Sequence, residues 1–208
     1  MRRTKRRMSA SERRAQLIEV GKAVFAEQGY EATSVEEIAA RAKVSRPVLY
    51  EHFGGKEGLY AVIIDREMER LIGAITDAIS TGSARERSEQ AVIAMMTCIR
   101  DDPDGFSVLW HDAPTSVSGG QLSSLLAIVA ERVGEVFSAA FREAGYDVRL
   151  APMYAQALIG MVTFVGAWWM ENRQVPVDKV ATHLHALAWM GLRHLPAKPH
   201  PVRVPKQP

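Results

Sequence analysis

The stretch that most constrains this chain is residues 33–55, where two helical segments of fewer than ten residues sit between stop signals. Thr33 with Glu36 and Ser34 with Glu37 both offer a capping box for the first segment, which ends near Ala42. Ser45 is placed as the N-cap of the second, and Pro47 falls in its first turn, where a missing N–H costs little. Gly54-Gly55 closes it. The inward sides must be apolar to hold such short helices, and Ile38, Ala39, Val44, Leu49 and Phe53 suit that role. The outward side offers donors: Lys43, Ser45, Arg46, Tyr50 and His52. Two short helices and a tight turn have the dimensions of a helix-turn-helix, whose second helix enters the DNA major groove.

Helical periodicity dominates elsewhere, and no stretch alternates as a strand would, so an all-α fold of about nine helices is expected. Helix one should run from about Ser11 to Gln28, with Leu17, Val20, Val24 and Phe25 as its apolar stripe, a Ser9/Glu12 box at its start and Gly29 at its end. Further helices are expected over 56–80, 84–100, 103–111, 121–144, 151–171 and 176–195, with a loop at 114–120. Four prolines after residue 196 predict an extended, disordered tail. The domain reading is a basic disordered arm (1–10), a helix-turn-helix domain (11–55), a helical effector-binding and dimerisation domain (56–195) and the tail (196–208).

Charge is unevenly placed. Residues 1–60 carry twelve Lys/Arg against eight Glu, while the whole chain has a net charge of only +2. A basic amino-terminal arm reads as a phosphate-binding tail or as a solvated one. With no apolar run behind it, it is not a secretory signal. The single cysteine, Cys98, reads as a small buried hydrophobe and fits a reducing, cytoplasmic setting. No charge interrupts 150–170, a length that can cross a bilayer, but Pro152, Gln156, Gly160, Thr163 and Gly166 dilute it. A buried helix, with no membrane partner, is the expectation.

The run from Leu17-Ile18 through Val24-Phe25-Ala26-Glu27-Gln28-Gly29-Tyr30, Thr33-Ser34-Val35, Ile38-Ala39 and Ala42-Lys43-Val44-Ser45-Arg46-Pro47-Val48-Leu49-Tyr50-Glu51-His52-Phe53-Gly54-Gly55-Lys56-Glu57-Gly58-Leu59 resembles the tetracycline-repressor (TetR) family. The likeness covers about residues 13–64 without a gap; beyond it only the helical layout is similar. The resemblance implies DNA-binding roles for Thr33, Ser34, Lys43, Ser45, Arg46, Pro47, Tyr50, His52 and Lys56. Tyr50, His52 and Lys56 look like phosphate contacts, which set register without reading sequence, and Lys56 also lies near a helix N-terminus, where phosphate is favoured. Arg46 is the candidate for a base edge, since guanidinium matches guanine bidentately. Thr33 and Ser34 either cap helix two or touch a phosphate. Two positions depart from the pattern. Lys43 stands where the turn usually has Gly, so it either accepts a strained backbone or shifts the turn. Pro47 and Val48 replace a small and a hydroxyl residue, and Val48 is suited to a thymine methyl.

The last helix carries Val177, Ala181, Leu184, Ala188, Gly191 and Leu195 as a heptad-like seam, and the preceding one a small-residue face of Gln156, Gly160, Thr163 and Ala167. In the resembled family the last two helices pair with their mates, so Gln156, Gly160, Thr163, Ala167, Ala181, Leu184, Ala188 and Leu195 are expected at a homodimer interface; packing within the subunit is the alternative. A homodimer suits a palindromic operator in double-stranded DNA. Family members usually hold a small ligand in the second domain. Met95, Phe106, Trp110, Phe137, Phe141, Tyr154, Met161, Phe164 and Trp168 are the candidate lining for a mostly apolar effector, with Gln156, Tyr154 and His111 for polar contacts; core packing is the alternative for each.

No phosphate loop, nucleophile elbow or metal-ligand motif occurs, so no enzyme activity, cofactor or metal is expected. His183, His185 and His194 lack the spacing of a metal site. Asp101, Asp102, Asp104 and Asp112 read as a solvated acidic loop. The functional expectation is a sequence-specific transcriptional regulator, a repressor released by its effector; the alternative is an effector-independent DNA-binding dimer.

Overall fold

A computed structural model describes residues 8–111, 131, 133–135, 137–139, 141–143 and 145–194, without the side chains of Ala84 and His111. All secondary structure among them is helical: α1 (Ala10–Ala32), α2 (Val35–Ala42), α3 (Arg46–Phe53), α4 (Lys56–Ala78), α5 (Ala84–Asp101), α6 (Pro103–His111), a 3-10 turn (Val148–Leu150), α7 (Ala151–Glu171) and α8 (Val177–Arg193). Helical turns also occupy 133–135, 137–139 and 141–143. The expected arm up to residue 7, the loop at 114–120, the start of the helix from Gln121, Leu195 and the tail lie outside the described residues.

Helix α1 starts where the capping box requires. The Ser9 N–H donates to the Glu12 carboxylate at 2.7 Å, and the Glu12 N–H donates to the Ser9 hydroxyl at 3.2 Å. Gly29 adopts φ 77°, ψ 170°, a break that an L side chain would resist, but the chain resumes helical form to Ala32. The Thr33 hydroxyl, buried, donates to the Gly29 carbonyl at 2.7 Å and ties the break down.

The described residues fall into two compact units, one within 1–77 and 97–125, the other within 78–96 and 126–208. The expected boundary at residue 55 is therefore not where packing divides: α4 and α6 join the first three helices. Leu17, Ile18, Val24, Phe25, Ile38, Leu49, Leu59 and Ile63 form the dry core of this first unit. Tyr60 meets the edges of Phe25 and Tyr30 at centroid distances of 5.0 and 4.8 Å.

A cluster of charges centred on the buried Lys22 and Glu67 adds to this core. The Lys22 ammonium, on α1, donates to Asp102 at 2.7 Å and to Glu67 at 3.1 Å. Arg70, on α4, reaches Glu67 at 2.8 Å and Asp102 at 3.2 Å. The other Asp102 oxygen accepts the Gly105 N–H at 2.8 Å, in the first turn of α6. Two cations thus face two carboxylates, drawn from α1, α4 and the α5–α6 junction. Asp102 is accordingly not part of the solvated loop read from sequence, since it is largely enclosed and bonded through both oxygens; Asp101 and Asp104 are exposed. Burial pushes the Cys98 thiol up, although the residue is half-buried rather than fully buried as expected.

In the second unit α8 packs on α7, and the Trp169 indole donates to the Val175 carbonyl at 2.8 Å, closing the turn between them. Helix α7 buries Ala151, Ala155, Val162, Thr163, Gly166 and Trp169. It is long and apolar enough to cross a membrane, yet only 28% of its apolar window is buried, so the expectation of a buried helix holds for one face alone. Within α8, His185 is 7% exposed and neither ring nitrogen finds a partner; its ring stacks on Trp189 at 6.3 Å.

Breaking the charge cluster leaves an opposite charge buried, so Lys22→Met should destabilise the fold by ~3–5 kcal/mol in urea unfolding. Burial alone would raise the Asp102 pKa, but the Lys22 hydrogen bond, the Gly105 N–H and the nearby cations hold it below the ordinary carboxylate range. Burial alone would lower that of Lys22, but Asp102 and Glu67 raise it instead. The Asp102 contribution is present above the ordinary aspartate pKa of about 3.9 and is lost as pH falls through the depressed folded value; the Lys22 contribution is complete below about 10.4 and is lost as pH rises through the raised one. The urea midpoint of the wild type should drop on the acid side more steeply than that of Asp102→Asn. Parallel acid limbs would contradict this.

Candidate nucleic-acid interface

Helix α2 is capped by Ser34, whose hydroxyl accepts the Glu37 N–H at 3.2 Å. Of the two candidate caps Ser34 is the one used, since Thr33 is committed to Gly29. The turn into α3 rests on Lys43, which holds φ 55°, ψ 44°, the only left-handed non-glycine backbone among the described residues. Its N–H donates to the Ala40 carbonyl at 3.1 Å, and the Val44 N–H to that of Ala39 at 3.0 Å. The turn is not shifted by the absence of glycine; the lysine takes the strained conformation, and its side chain is exposed.

The carbonyl ends of the first three helices are held by side chains from elsewhere in the unit. Lys56 donates to the carbonyls of Tyr30 and Thr33 at 2.9 and 3.0 Å and lies 4.2 Å over the Tyr30 ring. Gln16 donates to the Ala42 carbonyl at 3.2 Å. Arg14 donates to the His52 carbonyl at 2.6 Å and lies 4.4 Å over Phe53. Cations and amide donors at helix C-termini complement both the orphan carbonyls and the macrodipole. Helix α4 then starts hard against α3: a Cβ on Gly58 would overlap the Phe53 carbonyl oxygen.

With its inner side fixed, α3 presents Ser45, Arg46, Pro47, Tyr50 and Glu51 to solvent, Tyr50 with 54% exposure. Ser45 occupies the N-cap but its hydroxyl makes no capping bond. Val48 and His52 are half-buried. Arg46 is extended across the face of the motif, its Nη1 2.6 Å from the carboxylate of Glu36 on α2. Lys56, expected at a phosphate, has its ammonium engaged by carbonyls of the same chain. Neither Arg14 as a C-terminal cap nor Glu36 as the partner of Arg46 is anticipated from the sequence, because both depend on which helices lie side by side.

This arrangement has counterparts. Residues 17–63 match the family model described as bacterial regulatory proteins, tetR family, and residues 73–202 match that of the tetracyclin repressor-like C-terminal domain. The chain belongs to the TetR family. It is 31% identical over 193 residues to the HTH-type transcriptional activator FasR of Mycolicibacterium smegmatis, spanning 91% of this chain and 87% of that one. It is 24% identical over 198 residues to the HTH-type transcriptional repressor KstR2 of Rhodococcus jostii, spanning 91% and 94%. The crystal structure of a TetR-like transcriptional regulator from Rhodococcus sp. RHA1 superimposes with a TM-score of 0.77 at 26% identity, covering 90% of this chain and all of that one. These relatives are transcriptional regulators, and this TetR-family protein is a DNA-binding transcriptional regulator with a helix-turn-helix at α2–α3.

The residues expected to line an effector pocket in this TetR chain divide between the two units. Phe106 and Trp110, stacked at 6.1 Å, belong to the first unit, and Met95 and the others to the second. Phe141 is buried and meets Phe137, Tyr146 and Tyr154 at 6.0, 5.3 and 5.3 Å. Met161 is half-buried, whereas Phe164 and Trp168 are 68% and 49% exposed. A cleft of about 590 Å³ in the second unit is lined instead by Glu131, Gly134, Glu135, Ser138, Ala139, Arg142, Pro152 and Gln156. The side chain of His111 lies outside the described residues. The dimer candidates divide as well: Gln156 is exposed and Gly160 and Ala167 half-buried, but Thr163, Ala181, Leu184 and Ala188 are buried inside the subunit. The exposed apolar residues on the same two helices are Met153, Phe164, Trp168, Leu187 and Met190. Thr163 and Trp169 face inward and Phe164 and Trp168 outward, which an almost uniformly apolar α7 does not reveal in advance. Among the described residues no group of three or more His, Cys, Asp or Glu could hold a metal ion.

The left-handed conformation at Lys43 costs an L residue roughly 1–2 kcal/mol, against which glycine gives back part through its freer unfolded chain. Lys43→Gly should therefore raise stability by ~0.5–1 kcal/mol, read as a higher urea midpoint at unchanged slope. A lower midpoint would mean that the side chain contributes more than the backbone strain removes.

Proposed function

We propose that this TetR-family regulator acts in the cytoplasm as a homodimeric repressor of a palindromic operator and is released by a small, mostly apolar effector. The observation that carries the DNA reading is the exposed face of α3, tied from behind by the Arg14 bond to the His52 carbonyl, with Arg46 and Tyr50 outward. Arg46 reads a guanine edge and Val48 a thymine methyl, while Tyr50, Ser45 and Lys43 approach the backbone. The named relatives include both an activator and a repressor. Repression is the simpler outcome, because occupancy alone can block a promoter, whereas activation needs a further contact with the transcription machinery.

Dimerisation through α7 and α8 supplies the second recognition helix that a palindrome requires, with two half-sites about one helical turn apart. Met153, Trp168, Leu187 and Met190 form the contact in this reading, because large apolar groups left in water on two packed helices are favourably covered by a copy of themselves. The effector reading draws on the cleft of about 590 Å³, a volume suited to a small molecule, and on the Phe141 aromatic cluster, whose Tyr154 lies on α7 between the cleft residues Pro152 and Gln156.

Selection of bound fragments from random duplex DNA, repeated with a metabolite library, tests this reading. An enriched palindrome that is released by apolar metabolites supports it; no enrichment at low salt removes it. Against the selected operator, Arg46→Ala should cost ~1–3 kcal/mol and relax preference at one base pair. An equal loss on operator and random duplex would argue against base reading. Leu187→Asp with Met190→Asp should shift the protein to monomer in sedimentation and weaken operator binding while leaving the helical signal intact. A dimer that persists would place the interface elsewhere.

A further inference from the structure

The Glu36–Arg46 pair sits on the surface that the preceding reading turns toward DNA, and the inference drawn from it rests on that reading. Glu36 lies in the first turn of α2 and Arg46 opens α3; their side chains are 61% and 63% exposed, and Nη1 meets the carboxylate at 2.6 Å. The hydrogen bond from Arg46 holds the Glu36 carboxyl below its usual range. An acid is the least expected partner on a face that must approach phosphates.

A guanidinium has five N–H donors in a fixed fork. With Nη1 committed to Glu36, the edge formed by Nε and Nη2 keeps its donors, and two parallel donors are what guanine O6 and N7 accept. Guanine offers neutral acceptors, so Arg46 can bind it while keeping its carboxylate. A phosphate is an anion: it competes with Glu36 for the same charge and is repelled by it. We propose that Glu36 is a specificity-determining residue that positions Arg46 for a guanine edge and withholds it from phosphates. Its effect is on the ratio of operator to random-duplex affinity rather than on affinity alone, which is how unwanted partners are excluded by a built-in repulsive element.

The test compares wild type, Glu36→Gln and Glu89→Gln on the selected operator and on random duplex across a salt series. Glutamine keeps an acceptor oxygen and removes the charge; Glu89, exposed on α5, controls for net charge. An exposed pair is weak, so freeing Arg46 should raise random-duplex affinity by roughly two- to fivefold, and the random-duplex salt slope should steepen by about one. Operator affinity should change by less, so the ratio falls. In an Arg46→Ala background Glu36→Gln should leave the ratio unchanged, because the acid acts through the arginine. Equal gains on both duplexes, an unchanged random-duplex slope, or the same effect from Glu89→Gln would overturn the proposal while leaving the DNA-binding reading intact. A wild type that prefers no sequence removes both.

Discussion

A cluster of four charges, with Lys22 and Glu67 buried at its centre, governs how the first unit is assembled. Lys22 and Arg70 share Glu67 and Asp102, and the four groups come from three segments far apart in sequence, Glu67 and Arg70 both from α4. Apolar contacts between helices tolerate sliding, because one methyl group is much like another. An ammonium 2.7 Å from one carboxylate and 3.1 Å from a second does not. Losing the register would strand charge in a low-dielectric interior, where the penalty is several kcal/mol per ion. The cluster also explains the lack of a side chain at Gly105, whose Cβ would stand 2.5 Å from a Glu67 oxygen. Packing therefore makes α1, α4 and α6 one body with the helix-turn-helix, and the division between units falls beyond α4 rather than ahead of it.

On that frame the short helices are fastened at their carbonyl ends. A helix of eight residues has few internal hydrogen bonds for the carbonyls it leaves open, so α2 and α3 gain disproportionately from outside donors. Gln16 and Arg14 supply them from α1, and Lys56 on α4 does the same for the end of α1. The stacking of Arg14 on Phe53 and of Lys56 on Tyr30 buries the stems of these cations against aromatic faces that complete the core. The Arg14 bond ties α3 itself, and a recognition helix needs such rigidity for its side chains to meet base edges in a single register.

Much of this was legible in advance. Caps and glycines set the limits of α1 to α3 to within a few residues, because Ser9, Ser34, Ser45 and Gly54 act through neighbours in the chain. The inward set Ile38, Ala39 and Leu49 is buried as its spacing requires. What could not be read was every contact set by tertiary neighbours. Lys22 interrupts the stripe Ile18, Lys22, Phe25, and Glu67 interrupts Ile63, Glu67, Leu71. A charge at a core position on two different helices is a signal of a buried pair, and it was the one available clue to the cluster. In α7 the difficulty was of the opposite kind: with apolar residues on every side, period alone cannot say which face turns inward, so Thr163 was assigned outward and Trp168 inward, the reverse of their burial.

The same distinction corrects the electrostatic picture of the DNA-facing half. Counting cations in residues 1–60 suggests an ample supply for phosphates. Yet Lys22 is spent on buried acids, Arg14 and Lys56 on carbonyls, Arg41 on Glu27 and Glu37, and Arg46 on Glu36. Lys43 is the cation that the helix-turn-helix itself leaves exposed at the turn, and it holds that place at the cost of a strained backbone. A surface with so little uncommitted charge gains little sequence-independent attraction from the motif. Among the described residues the contribution of the motif has then to come from contacts that depend on which bases are present, so the neutralisation of charge within it and the selectivity proposed for it are two consequences of one arrangement.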